Sequence, residues 1–365
     1  MKQNFLKTLM AGAMMFALPM FLTSCEDILG QWEKPTPVIP NVPLPEPEVD
    51  PHAAMKATPL TLEAAEAGAK VTFTINAIAT NPVEYSTDGE TWTTYTSDTP
   101  ITLSAVGDKV SFRATNATYS DGGGSYISCS KDCYLYGNIM SLINKDNFKT
   151  ETELTADRTF EGLFFFNTKI KNHTDATKYL ILAATKMSEY CYQQMFTKCT
   201  GLTTTPVFNA DCNGKKNCFV MMFWGCTNLT TVAEGSQVKG TMGDDCCNKM
   251  FTACSALTTV PLDFLPSTDL AKSCYQSMFD ECYALLKAPK LPATTLVYNC
   301  YWGMFWKCTS LNEAWVKAEF TSDCEKMFQA CTNDAASKFH TDGTLWATAF
   351  FSQLGSWQFD AYPTE

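Results

Sequence analysis

The sequence predicts an α/β fold in two parts, an N-terminal immunoglobulin-like β-sandwich followed by a leucine-rich-repeat solenoid of about 27-residue helix/short-strand units. Two observations predict it. Apolar residues alternate with period two between residues 58 and 142, and from residue 195 onward a Met-Phe phrase recurs with cysteines at fixed offsets.

Ahead of both parts lies an export segment, residues 1–24. It carries Lys2 and Lys7 and then an apolar run from Leu9 to Phe21, too short for a membrane span and suited to the core of a signal peptide. The run ends in Leu22-Thr23-Ser24-Cys25, which resembles the lipobox of bacterial lipoproteins, so Cys25 is the expected lipidation site and mature N-terminus. Cleavage there removes two lysines and no acid, leaving the mature chain two charges more negative than the formal −11. Residues 25–52 then hold Pro35, Pro37, Pro40, Pro43, Pro45, Pro47 and Pro51, the composition of an extended stalk. Glu26-Asp27 resembles the acidic signals that send lipoproteins of Bacteroidetes to the outer face of the outer membrane.

Residues 53–142 form the expected sandwich. Leu60 and Leu62, Val71, Phe73 and Ile75, Ile101 and Leu103, and Val110, Phe112 and Ala114 alternate inward, with no helical stretch between them. Asp88-Gly89 marks a hairpin whose turn needs positive φ. The surrounding stretch, Ser86 to Trp92, superficially resembles a sialidase Asp-box. Sialidases need several arginines around the substrate carboxylate, and this chain has only Arg113 and Arg158.

Residues 143–190 read as a connector and cap, residues 191–331 as the repeats and residues 332–365 as the C-terminal cap. Met195-Phe196, Met222-Phe223, Met250-Phe251, Met278-Phe279, Met304-Phe305 and Met327-Phe328 follow one another at 27, 28, 28, 26 and 23 residues. Cysteine stands four positions after each Met, and four before it in all but the last unit, where Asp323 takes the place. Cys, Met and Cys at i, i+4 and i+8 predict one apolar stripe on a helix of about three turns. Leu-Thr-Thr-Val-Pro, at Leu257 to Pro261, predicts a brief strand after it. Leu291-Pro292-Ala293-Thr294 and its equivalents at Leu182 and Leu265 predict the helix N-cap. The sixth unit passes into an aromatic-rich tail with Phe339, Trp346, Phe350, Trp357 and Phe359, suited to close an otherwise open core.

The C-Y-x-x-M-F-x-x-C-x-x-L repeat, the Leu291 to Leu296 phrase and the Tyr136 to Leu142 stretch resemble the BspA-type leucine-rich-repeat surface lipoproteins of gut and oral Bacteroidetes. The resemblance runs over essentially the whole chain. It implies a cell-surface adhesin, anchored in the outer membrane by lipid alone, whose partners are host extracellular-matrix proteins, bacterial surface proteins or glycans.

Composition narrows the chemistry. An acidic chain with two arginines does not suit nucleic acid. His52, His173 and His340 are far apart in sequence, and no paired carboxylates or triad stand out, so no enzyme, metal or cofactor is expected. The seventeen cysteines read mostly as small buried hydrophobes of the repeat. On helices, Cys191 and Cys199 would lie about 12 Å apart and equivalents on neighbouring helices about 8 to 10 Å, beyond the roughly 7 Å limit for bridging. Cys129, Cys133, Cys212, Cys247 and Cys324 fall outside both the anchor and the ladders. Trp224, Trp302 and Trp306 are the candidate binding residues, since polar side chains hold their places in most other units. The second reading is a glycan-binding outer-membrane lipoprotein that assists nutrient uptake.

Overall fold

The computed structural model describes residues 50–331, 335–346 and 357–363. The leader, Cys25, most of the stalk and Phe350 lie outside the described residues. Among them one α-helix forms, Ala53–Ala57, and it buries only Met55. Thr58 beyond it is extended, as a residue before proline prefers.

The first strands are β1 (Leu60–Ala64), β2 (Ala69–Thr74), β3 (Glu84–Ser86), β4 (Thr93–Thr94), β5 (Ile101–Leu103), β6 (Lys109–Arg113), β7 (Tyr126–Cys129) and β8 (Cys133–Asn138). One sheet carries β8, β1, β6, β3 and β4 in that order, and a second carries β5, β2 and β7. Alternate residues point into one core: Leu60, Leu62, Val71, Phe73, Val110 and Phe112 are all fully buried. Phe73 packs edge-on against Phe112, joining the two sheets, with ring centroids 5.5 Å apart. Between β3 and β4, Gly89 takes φ 83°, and the Asp88 carboxylate accepts the Glu90 and Thr91 amides at 2.8 and 2.7 Å.

This arrangement corrects the expected immunoglobulin-like sandwich, because its larger sheet does not stop. β8 pairs antiparallel with β1 on one side and parallel with β10 (Leu180–Leu182) on the other, after a short parallel contact with β9 (Ile170–Lys171). The sheet continues in parallel through β11 (Val207–Asp211) and β12 (Gln237–Lys239), nine strands in all. The passage occurs at Gly137-Asn138. A Cβ on Gly137 would meet the Pro59 carbonyl oxygen at 2.1 Å. The Asn138 amide donates to the carbonyls of Lys56 and Phe148, and its oxygen caps Met140.

The larger correction concerns the repeats: the helix/short-strand leucine-rich solenoid is not formed. Across residues 190–199, alternate amides close i to i−3 turns, Met195 to Tyr192 at 3.2 Å, Thr197 to Gln194 at 3.1 Å and Cys199 to Phe196 at 3.0 Å. The amides between them leave the row. Tyr192, Gln194, Phe196 and Lys198 donate to the carbonyls of Cys218, Val220, Met222 and Trp224 in the next row, at 2.8 to 2.9 Å. Every fourth residue is left-handed, with φ 59° at Tyr190, 54° at Gln194 and 56° at Lys198. The same series recurs at Asn217, Met221 and Gly225, at Asp245, Lys249 and Ala253, at Ser273, Ser277 and Glu281, and at Asn299, Gly303 and Lys307. A left-handed residue in each turn is incompatible with an α-helix. The chain is therefore a spiral of four residues per turn. Two of the four, such as Met195 and Phe196, are buried, and the next two are mostly part-exposed, although Thr197, Thr252, Ser273 and Ser277 are buried as well.

The spiral begins earlier than the Met-Phe phrase. Phe160, Gly162, Phe164 and Phe166 donate to Cys191, Gln193, Met195 and Thr197 in the same manner. Phe164, Phe196, Phe223, Phe251, Phe279, Phe305 and Phe328 stack as one column, with centroids 5.3 to 5.4 Å apart and planes within 11°. A second column runs Tyr119, Phe160, Tyr192 and Phe219, and resumes at Tyr275 and Tyr301. Cys247 holds the missing place and Cys324 follows Tyr301, which accounts for two cysteines outside the ladders: Tyr275 donates to Cys300 as Cys247 does to Cys274, and Tyr301 donates to Asp323.

The ladder cysteines act as donors. Cys199, Cys226, Cys254, Cys282, Cys308 and Cys331 point their thiols at the carbonyls of Phe164, Phe196, Phe223, Phe251, Phe279 and Phe305, at 3.0 to 3.2 Å. The Thr-Thr phrases are not strands but carry isolated bridges, Thr204 to Thr231 and Thr231 to Thr259. Thr230 and Thr258 donate their hydroxyls to the carbonyls of Thr203 and Thr230. The leucine phrases expected at helix starts end strands instead, at Leu182 in β10 and at Leu291 in β13 (Lys287–Leu291). β13 opens a parallel sheet with β14 (Glu313–Val316), β15 (Lys338–His340) and β16 (Gln358–Asp360). Phe328 ends the main ring column against Phe339, Trp346 and Trp357.

Ala253, at φ 61°, separates the turn spiral from a helix by sign. Ala253→Gly relieves a left-handed alanine and is expected to raise stability by about 1 kcal/mol, whereas the same change inside a helix would lower it by about that amount. Urea midpoints of the two proteins measure the difference.

Candidate functional site

The two outward positions of each turn line up from row to row into one continuous face. Through residues 193–194, 197–198 and their equivalents it presents Gln193 and Gln194, Lys198, Trp224, Asn248 and Lys249, Asp280 and Glu281, Trp302, Trp306 and Lys307, while Thr197 itself is buried with its hydroxyl on the Met221 carbonyl. Trp224, Trp302 and Trp306 are each half-buried. They stand on this face because each follows, or lies three residues before, a Phe of the main column.

Trp302 and Trp306 are brought together, though not by a helix. Four residues complete one turn of the spiral, so the two rings are neighbours, with centroids 6.2 Å apart and planes 84° apart. Lys326 of the following row lies over both rings, at 5.3 Å from Trp302 and 5.8 Å from Trp306. Lys307 lies 5.3 Å from the Trp306 ring and pairs with Glu281 at 2.6 Å. Trp224 belongs to a separate group. Lys198 sits between the rings of Trp224 and Phe166, 4.9 Å from each, and Phe166 contacts Phe165 at 4.4 Å. Each group is an aromatic surface with a cation held against it, an arrangement stabilised by the ring quadrupole.

Between the groups lies Asp280, in the column that holds Trp224 and Trp306. Its Oδ1 is buried with no hydrogen-bond partner among the described residues. Burial raises its carboxyl to about 6, Glu281 adds to the rise, and Lys307 and Lys249 oppose it. A desolvated, partnerless acceptor beside Trp306 is a place where a donor from outside gains more than it would on open surface.

Several residues of the face were not legible as site residues. Lys198 and Lys326 sit at left-handed positions, whose place in the turn is invisible when the row is read as a helix. Phe165 and Phe166 belong to a row in which Leu163-Phe164 replaces Met-Phe and Asn167 replaces the cysteine. The available signal was the spacing of Phe160 and Phe164, equal to that of Tyr192 and Phe196.

The histidines are held in separate structural pairs. His52 Nδ1 meets the Tyr179 hydroxyl at 2.7 Å. His173 Nε2 meets Glu63 at 3.2 Å and its Nδ1 accepts the Asp175 amide at 2.8 Å. His340 Nε2 meets Glu313 at 3.1 Å, its ring stacked on Trp315. Among the described residues no group of three or more His, Cys, Asp or Glu is arranged to hold a metal ion. The cysteines there are free. Rows bonded directly to one another stand closer than packed helices, so the expected spacing of 8 to 10 Å does not hold for them. Cys212 Sγ, from the insert after the first Met-Phe unit, lies 3.1 Å from Cys246 Sγ. Burial pushes the Cys226 thiol up to about 12, and Cys331 likewise, so these thiols stay protonated at neutral pH.

Asp280 keeps its proton to about pH 6 in the folded chain and to 3.8 as an ordinary aspartate. Between those values the folded state binds more protons, so stability falls as pH rises through the window. Asp280→Asn is expected to flatten that slope, matching the parent chain near pH about 4 and melting higher than it near pH about 7.5. Thermal melts across the range test this, and an unchanged slope would show the carboxylate to be solvated. In comparisons with known proteins, no family model, no curated protein and no solved structure matches this chain.

Proposed function

We propose that the protein is a non-enzymatic recognition module, anchored by lipid at Cys25 to the outer membrane and displayed at the cell surface. In this reading it binds a host or microbial macromolecule through the outward face of its stacked rows. The observation that carries the reading is the pair Trp302 and Trp306, perpendicular to one another, part-exposed and flanked by Lys307 and Lys326. Tryptophan is the residue most enriched among those that dominate binding energy, and a cluster of two with fixed rings costs little entropy to immobilise further. The lipobox-like Leu22 to Cys25 and the resemblance to adhesive surface lipoproteins support the location and the partner class.

The occupant that suits this patch best is a protein. Lys326, held over both aromatic rings, offers charge complementarity to an acidic group, while the rings supply apolar area at the centre.

Replacing both tryptophans, Trp302→Ala with Trp306→Ala, is expected to weaken the interaction by at least about thirtyfold, the loss typical of one dominant anchor. A pull-down from matrix and bacterial surface fractions identifies the partner, and titration of the two proteins measures the loss. Equal affinity of both proteins for every captured partner would sink the reading. Cys25→Ser is expected to move the chain from the membrane to the soluble fraction and to abolish labelling by a fatty-acid analogue. Membrane retention in that variant would exclude the lipid anchor.

A further inference from the structure

A concave site lies away from the tryptophan pair, where the Gly122 to Gly124 loop meets the first rows of the spiral. The cavity has a volume of about 330 Å³, at the lower end of the range that holds small ligands. Its walls include Tyr126, Phe165, Glu161, Gln194 and the glycines of the loop. Tyr126 and Phe165 are 45% and 42% exposed, so two large rings of the wall face solvent. An exposed aromatic group of this size on a folded protein is unusual unless something covers it.

The polar floor is prearranged. Glu161 is 9% exposed. Its Oε2 accepts the Ser120 hydroxyl at 2.7 Å, and its Oε1 accepts Arg158 at 2.8 Å and the Gln193 amide at 3.0 Å. Oε2 takes only this one donor and keeps capacity for a second, since a carboxylate oxygen takes two. The loop reaches this floor because Gly124 has no side chain: a Cβ there would lie 2.7 Å from the Glu161 carbonyl oxygen. Asn76 ties the loop down by donating to Asp121 and to the Gly123 carbonyl.

Charge selects among ligands. Arg158 is already paired with Glu161 and laid over the Tyr190 ring at 4.2 Å. It offers no free cation to an anionic group, and the carboxylate it neutralises offers no free anion to a cationic one. What remains is a neutral ligand with an apolar face for Tyr126 and Phe165 and hydroxyl donors for the floor. From this geometry we infer that the cavity is a binding subsite for a neutral saccharide, its ring laid on Tyr126 or Phe165 and a hydroxyl donating to Glu161. The subsite shares no residue with the Trp302 and Trp306 patch and stands whether or not that patch binds protein.

Saturation-transfer NMR on the full-length protein tests it, with cellobiose, lactose, mannobiose and N,N′-diacetylchitobiose as neutral probes and choline as a cationic one. At least one disaccharide is expected to bind with a Kd near 1 mM, as suits a shallow site of this size. Tyr126→Ala and Phe165→Ala are each expected to weaken it by at least about tenfold with an unchanged melting temperature. Tyr126→Phe, which keeps the ring, should bind as the parent does, and the double change at Trp302 and Trp306 should leave saccharide transfer intact. Absence of transfer from all four disaccharides at about 10 mM, transfer from choline alone, or transfer that survives both alanine changes would each overturn the proposal.

Discussion

Everything in the repeat region depends on one division of labour among main-chain amides. Half of them close tight turns within a row and the other half bond to the next row, and the alternation requires a left-handed residue every four positions. A left-handed conformation costs a residue with a Cβ roughly 1 to 2 kcal/mol. Tyr190, Gln194 and Lys198 all bear that cost in one row. The compensating bonds run to a neighbour, so a row on its own carries the strain without the bonds. The row is stable only within a stack, and the two ends of the stack must be closed by something else. At the start the antiparallel strands do this: Ile127 of β7 donates to the Leu163 carbonyl at 2.7 Å, Tyr119 donates to Thr159 at 3.0 Å, and the Tyr119 ring extends the second column. At the far end the aromatic residues around Phe328 cover the last ring.

Side chains reinforce the same spacing. Phenylalanine rings 5.3 to 5.4 Å apart and almost parallel fit rows joined by main-chain hydrogen bonds, and would not fit helices packed 8 to 10 Å apart. Cysteine at the end of each row is then more than a small apolar filler. Its thiol reaches back to the Phe carbonyl of the previous row, a carbonyl that already accepts one amide, as Phe196 does from Cys199. Alanine would fit the space and make no such bond. Two buried residues per turn, one ring column and one thiol per row are enough to specify the register.

That chemistry explains which parts of the fold were legible. The row boundaries could be read, because Met195, Cys199 and their equivalents recur with the stack. The conformation within a row could not, because residues at i, i+4 and i+8 share a face both at 3.6 and at 4.0 residues per turn. The two periods part by only about 80° over nine residues. A signal that separates them was present in Asn217, Asp245, Asn299, Gly225 and Gly303, residue types that tolerate the left-handed region and stand at the same place in their turns. It was diluted by Lys, Ser, Glu, Gln and Met at the equivalent positions. The continuation of the larger sheet past β8 was hidden for another reason. Parallel pairing of β8 with β10 joins residues more than forty positions apart through a connection whose one row, Phe160 to Phe166, lacks the Met-Phe and cysteine signature of the others.

The site was legible to the degree that it departs from the repeat. Trp224, Trp302 and Trp306 stood out because polar side chains such as Thr252, Asp280, Asn248 and Gln276 occupy most of their columns elsewhere, and Tyr126 did not, because its cavity is assembled from a loop of the antiparallel part and two rows of the spiral. The same property that hides the spiral from pattern analysis makes its face chemically free. With the backbone held by amides between rows and by the two buried positions, the other pair in each turn is less constrained, and where it includes threonine, at Thr197 and Thr252, that side chain ties rows together through the Met221 and Ser277 carbonyls. Position 197 and its equivalents accommodate Thr, Trp, Asp and Gln without disturbing the ring column beneath, since Phe223 and Phe305 stack as regularly below a tryptophan as Phe251 does below Thr252. A surface built this way can change its exposed chemistry by substitution at outward positions alone, while the core that supports it stays the same from row to row.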